Sequence, residues 1–299
     1  MRRRQTKRDL VRMFKERSLR ANRLLGQNFL VDHNVLDFIC RAGELSAGDV
    51  VLEVGAGTGL LTEHIAGTGA RVVAVEIDAD LFEMLTDYVG GAENVRLLNC
   101  DIHGKRRRLN PEVQRALGDV MAPGRTFKVV SNLPYCISSD LLVSLLEMEP
   151  RAERMILTVQ KEFAARTLAK PGSRDYGVLT VLLRAQAEVK RLKDLAPSVF
   201  WPVPKVGSSI IRVVPDAGRA AAITDYALLK TVVSALFGGR RKTAAGALRL
   251  MARPKLSKQS IAAALGGAGI REDARADGLG AEEIVALSGR LKEHTDGRR

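Results

Sequence analysis

Between Val50 and about Val214, short runs rich in β-branched residues alternate with longer segments whose apolar positions recur every three or four residues. Strands that alternate with amphipathic helices in this way predict parallel strands joined by helical crossovers. Strands are predicted over residues 50–54, 71–76, 95–98, 127–131, 155–159 and 208–214, with a seventh near 187–192. Helices are predicted over 60–66, 79–89 and 139–147. After Pro215 the pattern turns helical throughout, over 226–237, 243–251, 258–265 and 282–292, broken by Gly, Pro or charged residues. Before Val50 it reads as a helical arm and then a helix around 35–42. The expected fold is α/β, a seven-stranded doubly wound, Rossmann-like sheet followed by a small C-terminal α-helical domain. The expected boundaries are 1–25 for the arm, 26–215 for the sheet domain and 216–299 for the helical domain.

Charge changes the picture. An apolar fraction of 46% with 27% charged residues is ordinary for a globular chain, whereas a formal charge of +13 is not. Residues 1–25 hold ten Lys/Arg against Asp9 and Glu16, and residues 240–258 hold seven basic and no acidic residues. Those stretches carry +8 and +7, so the rest of the chain nets −2 and is a near-neutral body with basic segments. Such a distribution suits a polyanion, with a solubilising charge run as the plain alternative. Cys40, Cys100 and Cys136 are widely spaced and form no chelating pattern with the four histidines, so neither a metal site nor a disulfide framework is expected. No apolar run is as long as a membrane span, and the Arg-rich start, although like a transit peptide, is poor in Ser and contains Asp9 and Glu16. A cytoplasmic protein is expected.

The chemistry gathers at the strand ends. Residues Val50 to Val54 run into Gly55-Ala56-Gly57-Thr58-Gly59, and a helix follows at once. Glycines at alternate positions allow a tight turn close to a ligand, and the helix start offers unpaired N–H groups. Glu76 ends the second strand twenty-one residues after Gly55, where a carboxylate accepts hydrogen bonds from ribose hydroxyls. That spacing suits NAD as well as S-adenosylmethionine. Asp101, just past the third strand, is placed to bind an adenine amine or, more plainly, to cap a turn.

The fourth strand ends in Asn132-Leu133-Pro134-Tyr135. An exocyclic adenine amine is a poor nucleophile because its lone pair is delocalised into the ring. The Asn132 oxygen and a carbonyl held by the Pro134 turn could accept both N6–H bonds and free that lone pair, while Tyr135 stacks on the base. The attacked nitrogen becomes strongly acidic as it gains a methyl, so no dedicated strong base is required. An ordinary Asn-x-Pro turn is the alternative reading.

Together Asn28, residues 53–59, Glu76, Asp101 and Asn132-Leu133-Pro134-Tyr135 resemble the ribosomal RNA small-subunit adenine dimethyltransferase family, the KsgA type, from about Gly26 to Arg253. The resemblance implies dimethylation at N6 of two adjacent adenines near the 3′ end of small-subunit RNA, with S-adenosylmethionine as cofactor and the assembling small subunit as partner of a monomeric enzyme. Gly26-Gln27-Asn28-Phe29-Leu30 looks like the family's opening motif, which assigns Asn28 and Leu30 to the cofactor. Gly55, Gly57, Gly59, Glu76 with Ile77, Asp101 with Ile102, and Asn132 inherit the other cofactor contacts. Residues 200–206 are similar to the family's Phe-x-Pro-x-Pro-Lys-Val segment, which makes Phe200 the second wall around the target base and adds Lys205 to the RNA contacts; a core aromatic is the alternative for Phe200. Arg240, Arg241 and Lys242, followed by Thr243, match a basic motif that implies a grip on RNA phosphates and that large-subunit resistance enzymes typically lack.

Cys136 stands where the family often has Asn, and Gly207 where Asp is usual, so neither receives a role. The basic run 105–108 also exceeds the family's usual shape. The competing readings are a large-subunit RNA methyltransferase, a non-catalytic RNA-binding or transcription factor on the same fold, and, more distantly, a NAD-dependent dehydrogenase.

Overall fold

The structure, a computed structural model, describes residues 5–22, 25–104, 109–134, 138–239, 242–251 and 255–296. Its strands in chain order are β1 (Phe29–Leu30), β2 (Asp49–Val54), β3 (Arg71–Glu76), β4 (Val95–Asn99), β5 (Thr126–Asn132), β6 (Arg154–Gln160), β7 (Ala187–Leu195), β8 (Phe200–Trp201) and β9 (Ser208–Pro215). Seven of them form one sheet in the order β4-β3-β2-β5-β6-β9-β7, and β1 pairs with β8 in a separate antiparallel ribbon. The β2·β3, β3·β4, β2·β5 and β5·β6 pairs are parallel, and β9 runs antiparallel to β6. All six residues of β2 are buried, the pattern of a strand covered by helices on both faces.

All seven predicted sheet strands are present, and the predicted helices occur as Leu60–Ala66, Ala79–Val89 and Ser138–Leu146. The helix Pro111–Val120 has no counterpart in the sequence reading, although Asn110 caps it and Pro111 opens it. From β2 the chain winds outwards to β3 and β4 on one side and to β5 and β6 on the other. That reversal leaves a crevice at the carboxyl ends of β2 and β5, where open α/β sheets bind their ligands.

The chain divides into two compact units, Met1–Ala164 with Lys190–Val214, and Ala165–Val189 with Pro215–Arg299. This division differs from the expected boundaries in two ways. Residues 165–189, assigned from sequence to the sheet domain, belong with the C-terminal helices, because helix Val178–Arg184 buries Leu179 to Leu183 and packs on helices Tyr226–Phe237 and Ala281–Asp296. Tyr176 OH also donates to the Leu279 carbonyl at 2.8 Å and Gly172 N to the Asp277 carbonyl at 2.6 Å.

The basic arm, in turn, is part of the first unit. Thr6 and Asp9 form a capping box that starts helix Lys7–Glu16, and its Leu10 and Phe14 are buried against Phe29, Leu81 and Met84. The Gln5 carbonyl is 2.9 Å from His33 Nε2, whose Nδ1 lies 2.9 Å from His64 Nε2, and His64 Nδ1 reaches Asp37 at 2.8 Å. Among the described residues no helix is long and apolar enough to cross a membrane.

Candidate active site

The ends of β2 and β5 are tied by Val54 N–H, which donates to Ser131 Oγ at 2.9 Å. Beyond Val54 the chain turns back on β3: Gly55 and Ala56 N–H donate to the Val75 carbonyl at 2.9 and 3.1 Å, and Gly57 N–H donates to Glu76 Oε2 at 2.7 Å. The other Glu76 oxygen accepts from Asp78 N–H at 2.9 Å. Gly55 and Gly57 adopt φ of +72° and +57°, and a Cβ on either would lie 3.0 Å from Pro134 or Phe29 respectively. Glycine is therefore needed where the loop meets the Asn-Leu-Pro turn and where it meets the opening motif.

These segments enclose a cavity of about 150 Å³. Of the residues read from sequence, Asn28, Gly55, Gly57, Glu76, Ile77, Asp101, Ile102, Asn132, Leu133 and Pro134 line it. Ile77 is half-exposed at 51%, an uncommon state for Ile that a flat apolar ligand would relieve, while Ile102 is buried. Asp101 Oδ1 accepts from His103 N–H at 2.9 Å, so it does cap a turn, and it also reaches the cavity wall.

Three assigned residues lie away from the cavity wall. Gly59 is the N-cap of helix Leu60–Ala66 and packs on Leu85 and Tyr88 rather than lining the cavity. Leu30 is 4% exposed and Phe200 has no exposure; both sit in the core with Val130 and Ile156, and neither lines the cavity. Opposed residues of an antiparallel pair share a face, and the β1·β8 register sets Leu30 against Phe200 and Phe29 against Trp201. The first pair points into the core, so Phe29 lines the cavity and Trp201 a neighbouring groove.

Lys205 is exposed on that groove, and Lys242 is exposed in the second unit. Tyr135, Arg240, Arg241 and the basic run 105–108 lie outside the described residues. Sequence reasoning missed Phe29, Leu81, Cys100 and His103 in the cavity wall, although Phe29 sits inside the opening motif and His103 two residues past Asp101.

Two glutamates, Glu76 in this wall and Glu53 behind it, have raised proton affinities. Burial raises Glu76 above the ordinary carboxyl range, while the Asp78 and Gly57 amides pull it back. Burial pushes the Glu53 carboxyl from its ordinary 4.5 to about 8, opposed by Thr62 Oγ1–H donating at 2.6 Å and helped by Glu76. The folded state thus keeps a proton that the unfolded chain has released between those values, and stability should fall as pH rises through that window, then level off. The slope for one such group is at most about 1.4 kcal/mol per pH unit. Glu53→Gln should flatten this slope and be the more stable protein near pH 8. Urea midpoints across the window test this; parallel curves for the two proteins would mean that Glu53 titrates normally.

Asn132 differs from its neighbours. Its Nδ2 donates to the Asn28 carbonyl at 2.9 Å, which fixes the amide, yet Oδ1 is buried with no donor among the described residues. A buried acceptor left unpaired costs about 1–3 kcal/mol, a cost that a ligand N–H would remove.

The chain from residue 18 to 292 matches the family model described as "Ribosomal RNA adenine dimethylase". It belongs to the ribosomal RNA adenine dimethylase family. The dimethylase is 36% identical over 284 residues to "Ribosomal RNA small subunit methyltransferase A" of Moorella thermoacetica, covering 94% of this chain and 96% of that protein. It is 39% identical over 273 residues to the protein of the same name from Anaeromyxobacter sp. (strain K), covering 90% and 93%. A solved dimethyladenosine transferase from Plasmodium falciparum shares the fold, with a TM-score of 0.72 at 23% identity over 90% of this chain and 98% of the other. The 23S rRNA methyltransferase ErmE superposes with a TM-score of 0.60 at 28% identity over 88% and 99%.

The dimethylase uses S-adenosylmethionine. Its residues fit that molecule: the glycine cradle would be filled by a Cβ, a carboxylate ends β3, and a half-exposed Ile77 flanks it.

Proposed function

We propose that this dimethylase transfers methyl groups in succession to N6 of two adjacent adenines near the 3′ end of small-subunit ribosomal RNA. It acts in the cytoplasm as a monomer on the assembling small subunit. The observation that carries the reading is the Asn132 amide, clamped through Nδ2 to the Asn28 carbonyl while Oδ1 is buried with no donor among the described residues. The small-subunit substrate is supported by relatives of that name at 36% and 39% identity over nearly the whole chain.

In this reading Glu76 takes the ribose hydroxyls, Asp101 the adenine amine of the cofactor, and Ile77 and Ile102 the two faces of its ring, with Asn28, Gly55 and Gly57 against the remainder. S-adenosylmethionine supplies an electrophilic methyl on a sulfonium. Asn132 Oδ1 accepts one N6–H of the target adenine, and a carbonyl of the Leu133-Pro134 turn accepts the other, so the amine pyramidalises and its lone pair leaves the ring system. Tyr135 stacks on the base. After one transfer the amine keeps one N–H for a carbonyl and still presents its lone pair, which permits the second. The proton released from the cationic nitrogen passes to solvent. Arg240, Arg241, Lys242 and Lys205 grip RNA phosphates.

The test supplies labelled S-adenosylmethionine to unmodified small and large ribosomal subunits and analyses the nucleosides. Dimethyladenosine in small-subunit RNA is the expected product. Label confined to the large subunit would instead give the ErmE-like substrate, and label in neither would leave a binding factor.

A further inference from the structure

A second opening in the first unit is a groove of about 1070 Å³, distinct from the cavity described above but sharing Gly26, Gln27 and Asn28 with it. One wall is the N-terminal helix and its exit, with Phe14, Lys15 and Arg20; the other is the segment from Trp201 to Val206. Among the described residues its charged lining side chains are Lys15, Arg20 and Lys205, and no carboxylate lines it. None of the three cations has a carboxylate partner among the described residues.

Apolar surface is exposed beside these charges. Val203 is 57% exposed and Val206 48%. The Trp201 ring packs edge-on to Phe14 with centroids 4.8 Å apart and lies 25° from the plane of Phe29 at 6.2 Å. The indole is thus held from behind by buried rings, while the residue is only partly buried and lines the groove. A fixed aromatic face beside a row of unpaired cations is how proteins bind single-stranded nucleic acid: bases stack and phosphates meet the cations.

We infer that this groove holds the RNA strand flanking the target adenine, with Trp201 as a stacking platform and Lys15 and Arg20 of the N-terminal segment as phosphate contacts. The inference rests on the proposed RNA substrate. It assigns the arm a defined place in binding, because helix Lys7–Glu16 is anchored through Leu10 and Phe14 and carries Lys15, and its exit, with Leu19 and Ala21 packed on the same cluster, carries Arg20. It also gives the aromatic role to Trp201 at the parity that the ribbon register exposes.

Trp201 is the only tryptophan in the chain, so its fluorescence reports on this groove alone. The full-length protein is titrated with a short single-stranded oligoribonucleotide containing adjacent adenines, end-labelled so that anisotropy reports binding separately. Tryptophan quenching that saturates together with the anisotropy is expected. The double variant Lys15→Gln/Arg20→Gln, altered at two exposed positions, should bind about 10-fold more weakly at moderate salt, and the slope of log K against log salt should shrink by about 1.4. Its affinity for S-adenosylmethionine should be unchanged.

Binding with no change in tryptophan emission, an unaltered salt slope in the variant, or no saturable binding of this RNA would each overturn the inference. The two proposals fail separately. A protein that labels neither subunit yet shows the quenching and the reduced slope loses the methylation reading alone; one that dimethylates small-subunit RNA with an indifferent variant loses only the groove.

Discussion

Asn132→Ala should reduce methyl transfer to small-subunit RNA by about 10²–10³-fold in kcat while leaving the protein folded and able to bind both S-adenosylmethionine and RNA. The magnitude is that of removing one preorganised hydrogen-bonding group aimed at a reacting centre. The small effect on stability follows from two opposing terms. The variant loses the Nδ2 bond to the Asn28 carbonyl, worth roughly 1 kcal/mol, and also removes an Oδ1 that is buried with no donor among the described residues. Since the oxygen matters only once an adenine amine reaches it, kcat should fall far more than KM rises. Single-turnover transfer with saturating RNA, alongside a thermal melt, separates these quantities. Full activity in Asn132→Ala would remove Asn132 from the mechanism.

Glu76→Ala should act one step earlier, on cofactor binding. The carboxylate holds the Gly57 and Asp78 amides, at 2.7 and 2.9 Å, and so fixes a loop whose glycines sit at positive φ. Without it both amides lose their acceptor, and so do the ribose hydroxyls in the proposed cofactor complex. Affinity for S-adenosylmethionine is expected to drop at least about 100-fold, equivalent to about 2.7 kcal/mol. Global stability should suffer less, because burying a carboxylate whose proton affinity burial has raised already carries a cost that the variant escapes. Calorimetric titration with the cofactor, paired with urea unfolding, distinguishes the two effects. Affinity within about threefold of the parent would mean that Glu76 is a loop brace without a part in binding.

Much of the architecture was legible in the sequence. β2, β3 and β5 announce themselves because a strand covered on both faces must be apolar at nearly every position, as Val50 to Val54 are. The site was legible where backbone conformation restricts the residue, at Gly55 and Gly57, and where chain order alone brings strand ends together, at Glu76, Asp101 and Asn132. The helix Pro111–Val120 escaped notice despite its cap and N1 proline. Residues 165–189 were misplaced because a buried apolar helix carries no mark of which domain it packs in.

The placement of Leu30 and Phe200 away from the cavity wall has one origin. Neighbouring residues of a strand point to opposite faces, and in two-residue strands such as β1 and β8 there is too little pattern to set the phase. Phe29-Leu30 and Phe200-Trp201 each contain two large apolar residues, so either member could have faced the core. The resemblance chose Leu30 and Phe200 for the site, whereas pairing of the two strands turned that couple inwards and set Phe29 and Trp201 against the cavity and the groove.

The amino-acid sequence by itself determined the sheet, its cofactor loop, the amide at the end of β5 and the polyanion-seeking charge, since each depends on local periodicity, on glycine's freedom or on simple counting. Only the tertiary structure decided which of two adjacent aromatics faces the groove, that the basic arm is a packed helix forming one wall of it, and that Asn132 is held with an acceptor unsatisfied among the described residues. Those features depend on contacts between segments far apart in the chain, such as Asn28 with Asn132 and Phe14 with Trp201, which local pattern does not encode.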